Sequence, residues 1–363
     1  MTIIPVRVRL QQRVFLDYRA PFFNLLAEAC PHGFNLFSGL PRPEEAISIA
    51  DRLVRGGYQR GENLHLSHGQ TYFCFQRGLI DWLDHWQPEV LIVEANPRYL
   101  STPAAIRWMH ARHRPVLGWG LGAPSNGKLN QLMRLPLLRS LDGILSYAQA
   151  GAEQYATCGV DPTRIFVAAN AAAASPAEPP PVRPEAFENS QARLLFVGRL
   201  QERKQLDMLL HACARLPQNR QPKLTIVGDG PDRERLESIA AQVYPAAVFT
   251  GAKHGLDLDA LFDQADLFVL PGTGGLAVQQ AMAHALPVIV GQADGTQGEL
   301  VRPENGWVLP AASLENLTAV LLDALTNPAR LRRMGMASYR IVAQEVNLEN
   351  MVAAFARAIE AVL

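Results

Sequence analysis

The residues best placed to do chemistry lie between Ala265 and Glu299, ADLFVLPGTGGLAVQQAMAHALPVIVGQADGTQGE, and the chemistry they suit is phosphate binding. Two apolar runs, Asp266 to Leu270 and Leu286 to Val290, read as buried parallel strands. Between them Pro271-Gly272-Thr273-Gly274-Gly275 is a turn, and Leu276 opens a run of helix formers to Ala285. A glycine turn that opens a helix aims bare backbone N–H groups and the positive end of the helix dipole at one point on the sheet edge. Such a point attracts an anion. The same spacing also fits an ordinary strand–helix–strand unit whose glycines serve only close packing. A second turn, Gln292 to Glu299, with Asp294 in it, should leave the following strand at the same edge.

A second set of polar residues lies near the start. Arg13, Asp17, Tyr18 and Arg19 follow a first predicted strand, Ile3 to Leu10. They fall in the kind of loop where open α/β sheets take ligands, or where a solvated turn would sit. Glu94, Asn96 and Arg98 mark the exit of a later strand, Pro88 to Glu94.

The elements that must position these residues repeat. Strands are predicted at Pro115 to Gly120, Gly143 to Tyr147 and Ile165 to Asn170, with helices near Pro103 to Arg112 and Ala150 to Cys158. This is the alternation of a doubly wound α/β domain. The basic, apolar run from Lys128 to Leu141 either packs within that domain or rests on an anionic membrane. From 171 to 191 the chain is rich in proline and poor in large hydrophobes, as a semi-rigid linker would be. A second alternation begins at Arg193. Its strands are Arg193 to Val197, Lys223 to Val227 and Val248 to Thr250, followed by the two around the glycine turn and by Gly306 to Leu309. Gly228-Asp229-Gly230 is part of a dinucleotide fingerprint without its third glycine. The expected organisation is therefore a domain over 1–170, a linker over 171–191, a second domain over 192–345 and a final helix over 346–363.

Composition narrows the function classes. The 363 residues are 48% hydrophobic and carry 34 basic against 34 acidic side chains, so a polyanion such as nucleic acid is not an expected partner. Four scattered cysteines, Cys30, Cys74, Cys158 and Cys213, read as buried thiols of a reducing compartment. Arg7 and Arg9 interrupt the apolar start, and no run reaches membrane-span length, so a cytoplasmic protein is expected.

The second half resembles the donor domain of retaining GT-B glycosyltransferases of family 4, the glycosyl transferases group 1. The resemblance rests on Phe196-Val197-Gly198-Arg199-Leu200 with Lys204 beyond, Val227-Gly228-Asp229-Gly230-Pro231, and Phe249-Thr250-Gly251. It continues through Ala265-Asp266 to Pro271, Ala281-Met282-Ala283 to Ile289, and Asn305-Gly306. The first half fits through Arg19-Ala20-Pro21-Phe22-Phe23 and Glu94 to Leu100. It implies an α/β, GT-B fold, two Rossmann-like domains facing each other across a cleft, with the final helix crossing back to the first. It also implies transfer of a sugar from a nucleotide-diphosphate donor to a glycan or lipid-linked acceptor, with retention, in surface polysaccharide or glycoconjugate synthesis. Arg199 and Lys204 would be the catalytic cations on the leaving diphosphate. The donor site would add Gly198, Gly228, Gly251, Lys253, His254, Gly272, Thr273, Gly274, Gly275, Leu276 and Gln280. The acceptor would meet Arg13, Asp17, Tyr18, Arg19, Glu94, Asn96 and Arg98. No metal or other cofactor is expected, and peripheral contact with the inner membrane face is compatible with the pattern. Three positions depart from it: Gly272 and Gln280 stand where relatives carry Glu, and Leu121 where they often carry His. The alternative reading is a catalytically silent, sugar-nucleotide- or glycan-binding partner of an active transferase.

Overall fold

The computed structural model describes residues 2–45, 47–66, 72–123, 128–274, 276–292, 299–310 and 313–363. The chain forms two compact units, Met1–Ala172 with Leu348–Leu363, and Ala173–Asn347.

The first unit begins with Val8–Val14 (β1), Ala20–Ala29 (α1), Phe34–Gly39 (β2) and Gly57–Arg60 (β3). An antiparallel hairpin, Glu62–Leu66 (β4) and Phe73–Arg77 (β5), and the helix Leu79–Trp86 (α2) come next. Val90–Glu94 (β6), Thr102–His110 (α3), Val116–Gly120 (β7), Lys128–Arg139 (α4), Gly143–Ser146 (β8), Gln149–Thr157 (α5) and Ile165–Val167 (β9) complete it. Seven strands form one parallel sheet in the order β3-β2-β1-β6-β7-β8-β9. Central strands such as Val90-Leu91-Ile92-Val93 are buried throughout, as a sheet covered on both faces requires.

Two features differ from the sequence pattern. β1 runs on to Val14, so Arg13 is a strand residue and not part of a loop. Polar Gln11 and Gln12 stay buried there because Gln76 satisfies them: Gln11 Nε2 donates to its side chain, and its own Nε2 donates to the Gln12 carbonyl at 3.0 Å. The stretch containing β2 to β5 and α2 was also not anticipated. β3 and β4 are short and half-exposed, without an apolar run, and Asn35 inside β2 is buried because Trp82 Nε1 donates to it at 2.8 Å.

The second unit contains Arg193–Val197 (β10), Leu206–Arg215 (α6), Lys223–Val227 (β11), Arg233–Val243 (α7), Val248–Phe249 (β12) and Leu256–Gln264 (α8). Leu267–Leu270 (β13), Leu276–Ala283 (α9), Val288–Gly291 (β14), Gly306–Leu309 (β15), Leu314–Ala324 (α10) and Pro328–Gln344 (α11) follow. Its six strands are parallel in the order β12-β11-β10-β13-β14-β15, the Rossmann order, which reverses direction between β10 and β13. Asp266 ties this seam: its carboxylate accepts the Arg193 N–H at 2.8 Å and pairs with Arg332 at 2.7 Å. The last helix, Leu348–Glu360 (α12), belongs to the first unit, where Phe355 meets Phe22 and Trp119 edge-on at 5.0 and 5.1 Å.

The segment read as a semi-rigid linker packs on the second unit. From Ala173 onward it is part of the second unit. A proline-rich extended chain makes few hydrogen bonds of its own, and side chains supply them. Arg183 donates to the carbonyls of Ala265, Phe262 and Ala285 at 2.7, 2.9 and 3.2 Å, and the Tyr339 hydroxyl donates to the Glu178 carbonyl at 2.8 Å. No helix among the described residues is long and apolar enough to cross a membrane.

Candidate functional site

In each unit the sequence-predicted residues gather where the strand order reverses, the position at which open α/β sheets leave a crevice beyond their carboxyl ends. In the second unit this is the exit of β10 against the exit of β13. The loop after β10 makes a 3₁₀ turn, Glu202–Lys204, that folds Lys204 under the glycine turn. Lys204 Nζ donates to the Thr273 carbonyl at 2.5 Å, and the side chain is buried, with the residue 8% exposed. Burial, with Arg203 beside it, lowers the ammonium pKa from 10.5 to about 8. The turn itself fits around this side chain. A Cβ at Gly274, whose φ is +145°, would lie 2.2 Å from Nζ. A Cβ at Gly272 would lie 2.1 Å from the Arg203 carbonyl oxygen and 2.6 Å from Lys204 Cα.

Arg203 is a member of this cluster that the pattern analysis overlooked. Its carbonyl accepts the Thr273 N–H at 3.0 Å and its Nη1 donates to Thr273 Oγ1 at 3.2 Å. The available signal was its place beside Lys204. Gly198, Gly228 and Gly251 cap three neighbouring strand ends, linked by Gly198 N–H to the Val227 carbonyl (3.0 Å) and Gly228 N–H to the Gly251 carbonyl (2.9 Å). Arg199 is exposed on the β10 exit loop, Lys253 is half-buried, and His254 is exposed beyond Gly251. Leu276 is the first residue of α9, and Gln280 is exposed one turn along it. Gly275 and Asp294 lie outside the described residues. The neighbouring Gln279, not singled out from sequence, is the buried one (1% exposed): it accepts the Ala173 N–H at 3.2 Å and donates to the Val346 carbonyl at 2.5 Å.

In the first unit the seam lies between β1 and β6. Arg13 donates its backbone N–H to Glu94 at 2.5 Å and its guanidinium to Glu45 at 2.9 Å. Beyond β6 and β7 is a cavity of about 420 Å³, lined by Glu94, Asn96, Arg98, Trp119, Arg134 and Tyr147 among others. Asn96 Oδ1 accepts from the backbone and Nε of Arg98 at 3.1 and 3.4 Å, which fixes that side chain's direction. Burial raises the Glu94 pKa, opposed by the Arg13 N–H and by the charges of Arg13 and Arg19. Leu121 also lines the cavity and is well exposed. Arg19 stands behind it, 3% exposed, stacked on Trp119 at 5.0 Å and Tyr147 at 5.3 Å. Asp17 stays outside, exposed, accepting the Tyr18 N–H at 2.6 Å, and Tyr18 stacks on Arg19 at 5.1 Å. Arg42 and Tyr72, absent from the sequence-based set, complete the surroundings: the Tyr72 ring sees Arg13, Arg42 and Arg98 at 5.3, 4.1 and 5.2 Å. Among the described residues no three His, Cys, Asp or Glu side chains come together as metal ligands would.

Comparison with known proteins gives a family for part of the chain and a fold for the whole. Residues 182–341 match the family model of glycosyl transferases group 1. A GDP-mannose-dependent alpha-mannosyltransferase of Mycobacterium tuberculosis is 39% identical over 151 residues, 40% of this chain and 37% of that protein. The sulfoquinovosyl transferase of Arabidopsis thaliana is 33% identical over 122 residues, 33% of this chain and 23% of that protein. The match thus spans little over a third of these curated relatives at most. In fold, the apo lipopolysaccharide outer core galactosyltransferase WaaB superposes with a TM-score of 0.70 at 15% identity, covering 98% of this chain and all of that one (100%). Anabaena HepE in complex with UDP gives a TM-score of 0.73 at 14% identity, covering 99% of this chain and 100% of that one. By these matches the chain is a GT-B protein of two Rossmann-like domains, and its second unit is a domain of the glycosyl transferases group 1 family.

Proposed function

We propose that the protein is a glycosyltransferase that takes a sugar from a nucleotide-diphosphate donor bound in the second unit. The observation that carries this reading is Lys204, buried beneath the glycine turn that opens α9. A buried ammonium with a depressed pKa is costly for an unliganded fold and is rewarded by a bound anion. The donor's diphosphate would accept from Lys204 Nζ, from the α9 N-terminus and from Arg199. As the glycosidic bond breaks, negative charge grows on that diphosphate, and these fixed cations stabilise it more in the transition state than before. They supply the charge that a divalent ion would otherwise bring, so turnover is expected to persist in EDTA. Retention of the anomeric configuration belongs to this reading through the family resemblance, and the configuration of the product tests it. GDP-mannose in the names of relatives and UDP in the bound structures support a nucleotide-sugar donor and leave the base to experiment. Surface polysaccharide or glycolipid assembly is the setting this reading favours.

A thermal-shift panel of UDP-, GDP-, ADP- and dTDP-sugars tests it, since a ligand at about 100 times its dissociation constant adds roughly 2.7 kcal/mol. One donor should stabilise the wild type and not Arg199→Ala or Lys204→Ala. A shift retained in both variants removes the diphosphate from this site.

One observation favours a second reading, a donor-binding partner without turnover. Where relatives carry a carboxylate, Gly272 leaves no space for one, and Gln280 is an exposed neutral group. Donor binding without transfer to any acceptor, and without donor hydrolysis, would select it.

A further inference from the structure

We propose that the acceptor is a lipid-linked anion whose phosphate enters the cavity beyond β6 and β7 while its hydrocarbon chain lies in an adjoining apolar groove. This rests on the acceptor-binding role read for the first unit and narrows its substrate class.

The cavity is set up for negative charge. Arg98 and Arg134 line it, and the carboxylate facing them is Glu94. Behind its aromatic wall, Arg19 Nη1 is buried and makes no hydrogen bond among the described residues; the same is true of Trp119 Nε1, whose ring forms part of the wall. A buried donor without an acceptor costs free energy, and a guanidinium costs more. Among the described residues, Arg98 and Arg134 in the lining and Arg19 behind it outnumber the one lining carboxylate, Glu94, so an anion entering the pocket meets an attractive field.

The groove shares Pro97 with the cavity and has a similar volume, about 420 Å³. Tyr99, Leu100, Pro103, Ile106, Pro136 and Leu137 make its lining mainly apolar, with Arg107, His110 and Ser140 as its polar members. α4 serves both spaces, giving Arg134 to the cavity and Pro136 and Leu137 to the groove. Leu100 is 39% exposed there, apolar surface that a hydrocarbon would cover. A polar head site and an apolar channel meeting at one residue match an amphipathic anion. A free sugar would leave the groove empty.

Calorimetric titration of the full chain with geranyl phosphate, inorganic phosphate and geraniol tests this without any sugar nucleotide. Geranyl phosphate should bind at least about tenfold more tightly than either fragment, since each buried methylene adds to affinity. Arg98→Ala should weaken both phosphates. Leu100→Asp should bring geranyl phosphate down to the affinity of inorganic phosphate and leave the latter unchanged. The pattern should persist in Lys204→Met, which removes phosphate binding at the donor turn. Geranyl phosphate binding no tighter than inorganic phosphate, or losing its affinity in Lys204→Met, overturns the proposal. A nucleoside diphosphate titrated in parallel separates the two readings: its binding alone leaves the donor assignment standing, and geranyl phosphate binding alone removes it.

Discussion

Lys204 and Gly274 occupy one space: a methyl group on Gly274 would lie 2.2 Å from the ammonium, and the backbone there holds a φ of +145° that residues with a side chain rarely adopt. The lysine in turn has the Thr273 carbonyl as acceptor at 2.5 Å. This is an arrangement built around a cation and not around a hydrophobic contact. Lys204→Met should therefore separate stability from binding. Without a buried charge to desolvate, the variant should melt higher at pH 7, by about 2–4 °C per kcal/mol relieved in a unit of this size. It should also lose the stabilisation given by a nucleoside diphosphate. Lower melting together with retained binding would show that the lysine is a structural strut.

The same group sets a pH dependence. The folded, unliganded protein holds this proton with a pKa of about 8, against 10.5 ordinarily. The unfolded chain therefore binds the proton more tightly, and the cost of burying it is full below about pH 8. That cost is relieved as pH rises from about 8 toward 10.5. Donor binding runs the other way, because a bound diphosphate wants the ammonium charged. Affinity should be flat from pH 6.5 to 7.5 and fall about tenfold per unit well above 8, with proton uptake on binding. Calorimetry in buffers of different ionisation enthalpy measures that uptake. Lys204→Met should show none of it.

At Gly272 the obvious repair should fail. Restoring the carboxylate that relatives carry, by Gly272→Glu, places a Cβ 2.1 Å from the Arg203 carbonyl and 2.6 Å from Lys204 Cα, both backbone atoms that cannot swing aside. Overpacking of this kind costs typically 1–3 kcal/mol. Urea denaturation should register that loss, and donor binding should weaken with it. A stable variant with enhanced turnover would mean that the Glu202–Lys204 turn shifts freely.

Much of the fold was legible because its strands are buried on both faces. Runs such as Leu267-Phe268-Val269-Leu270 and Val288-Ile289-Val290 admit few other readings, and the glycine turn between them marks a helix start. What stayed hidden depends on partners distant in sequence. Gln11 read as the start of a loop because nothing local says that Gln76 will meet it. The segment from 171 to 191 read as a semi-rigid linker, and proline content says nothing of Arg183 and its three carbonyl acceptors, which tie it to the second unit. The donor-side residues came from short motifs on adjacent strand exits. In the first unit, Trp119, Tyr147 and Arg134 meet Glu94 and Arg98 from three separate elements, and no spacing encodes that.

Neighbouring glutamines on α9 give the sharpest contrast between what sequence position suggests and what burial decides. Gln280 stands at the position of the family's second carboxylate, yet it is exposed, and Gln279 beside it is buried. Gln279 accepts the Ala173 N–H and donates to the Val346 carbonyl, so one side chain joins the two segments at which the chain enters and leaves the second unit. Truncation strands both backbone groups away from water, each worth about 1–3 kcal/mol. Gln279→Ala should therefore destabilise the second unit by roughly 2–5 kcal/mol, while Gln280→Ala should change its stability by less than about 0.5 kcal/mol. If Gln280 touches the donor's ribose or sugar, its loss should appear in the Michaelis constant for the donor and not in melting. Equal melting of the two variants would mean that water replaces the Gln279 contacts.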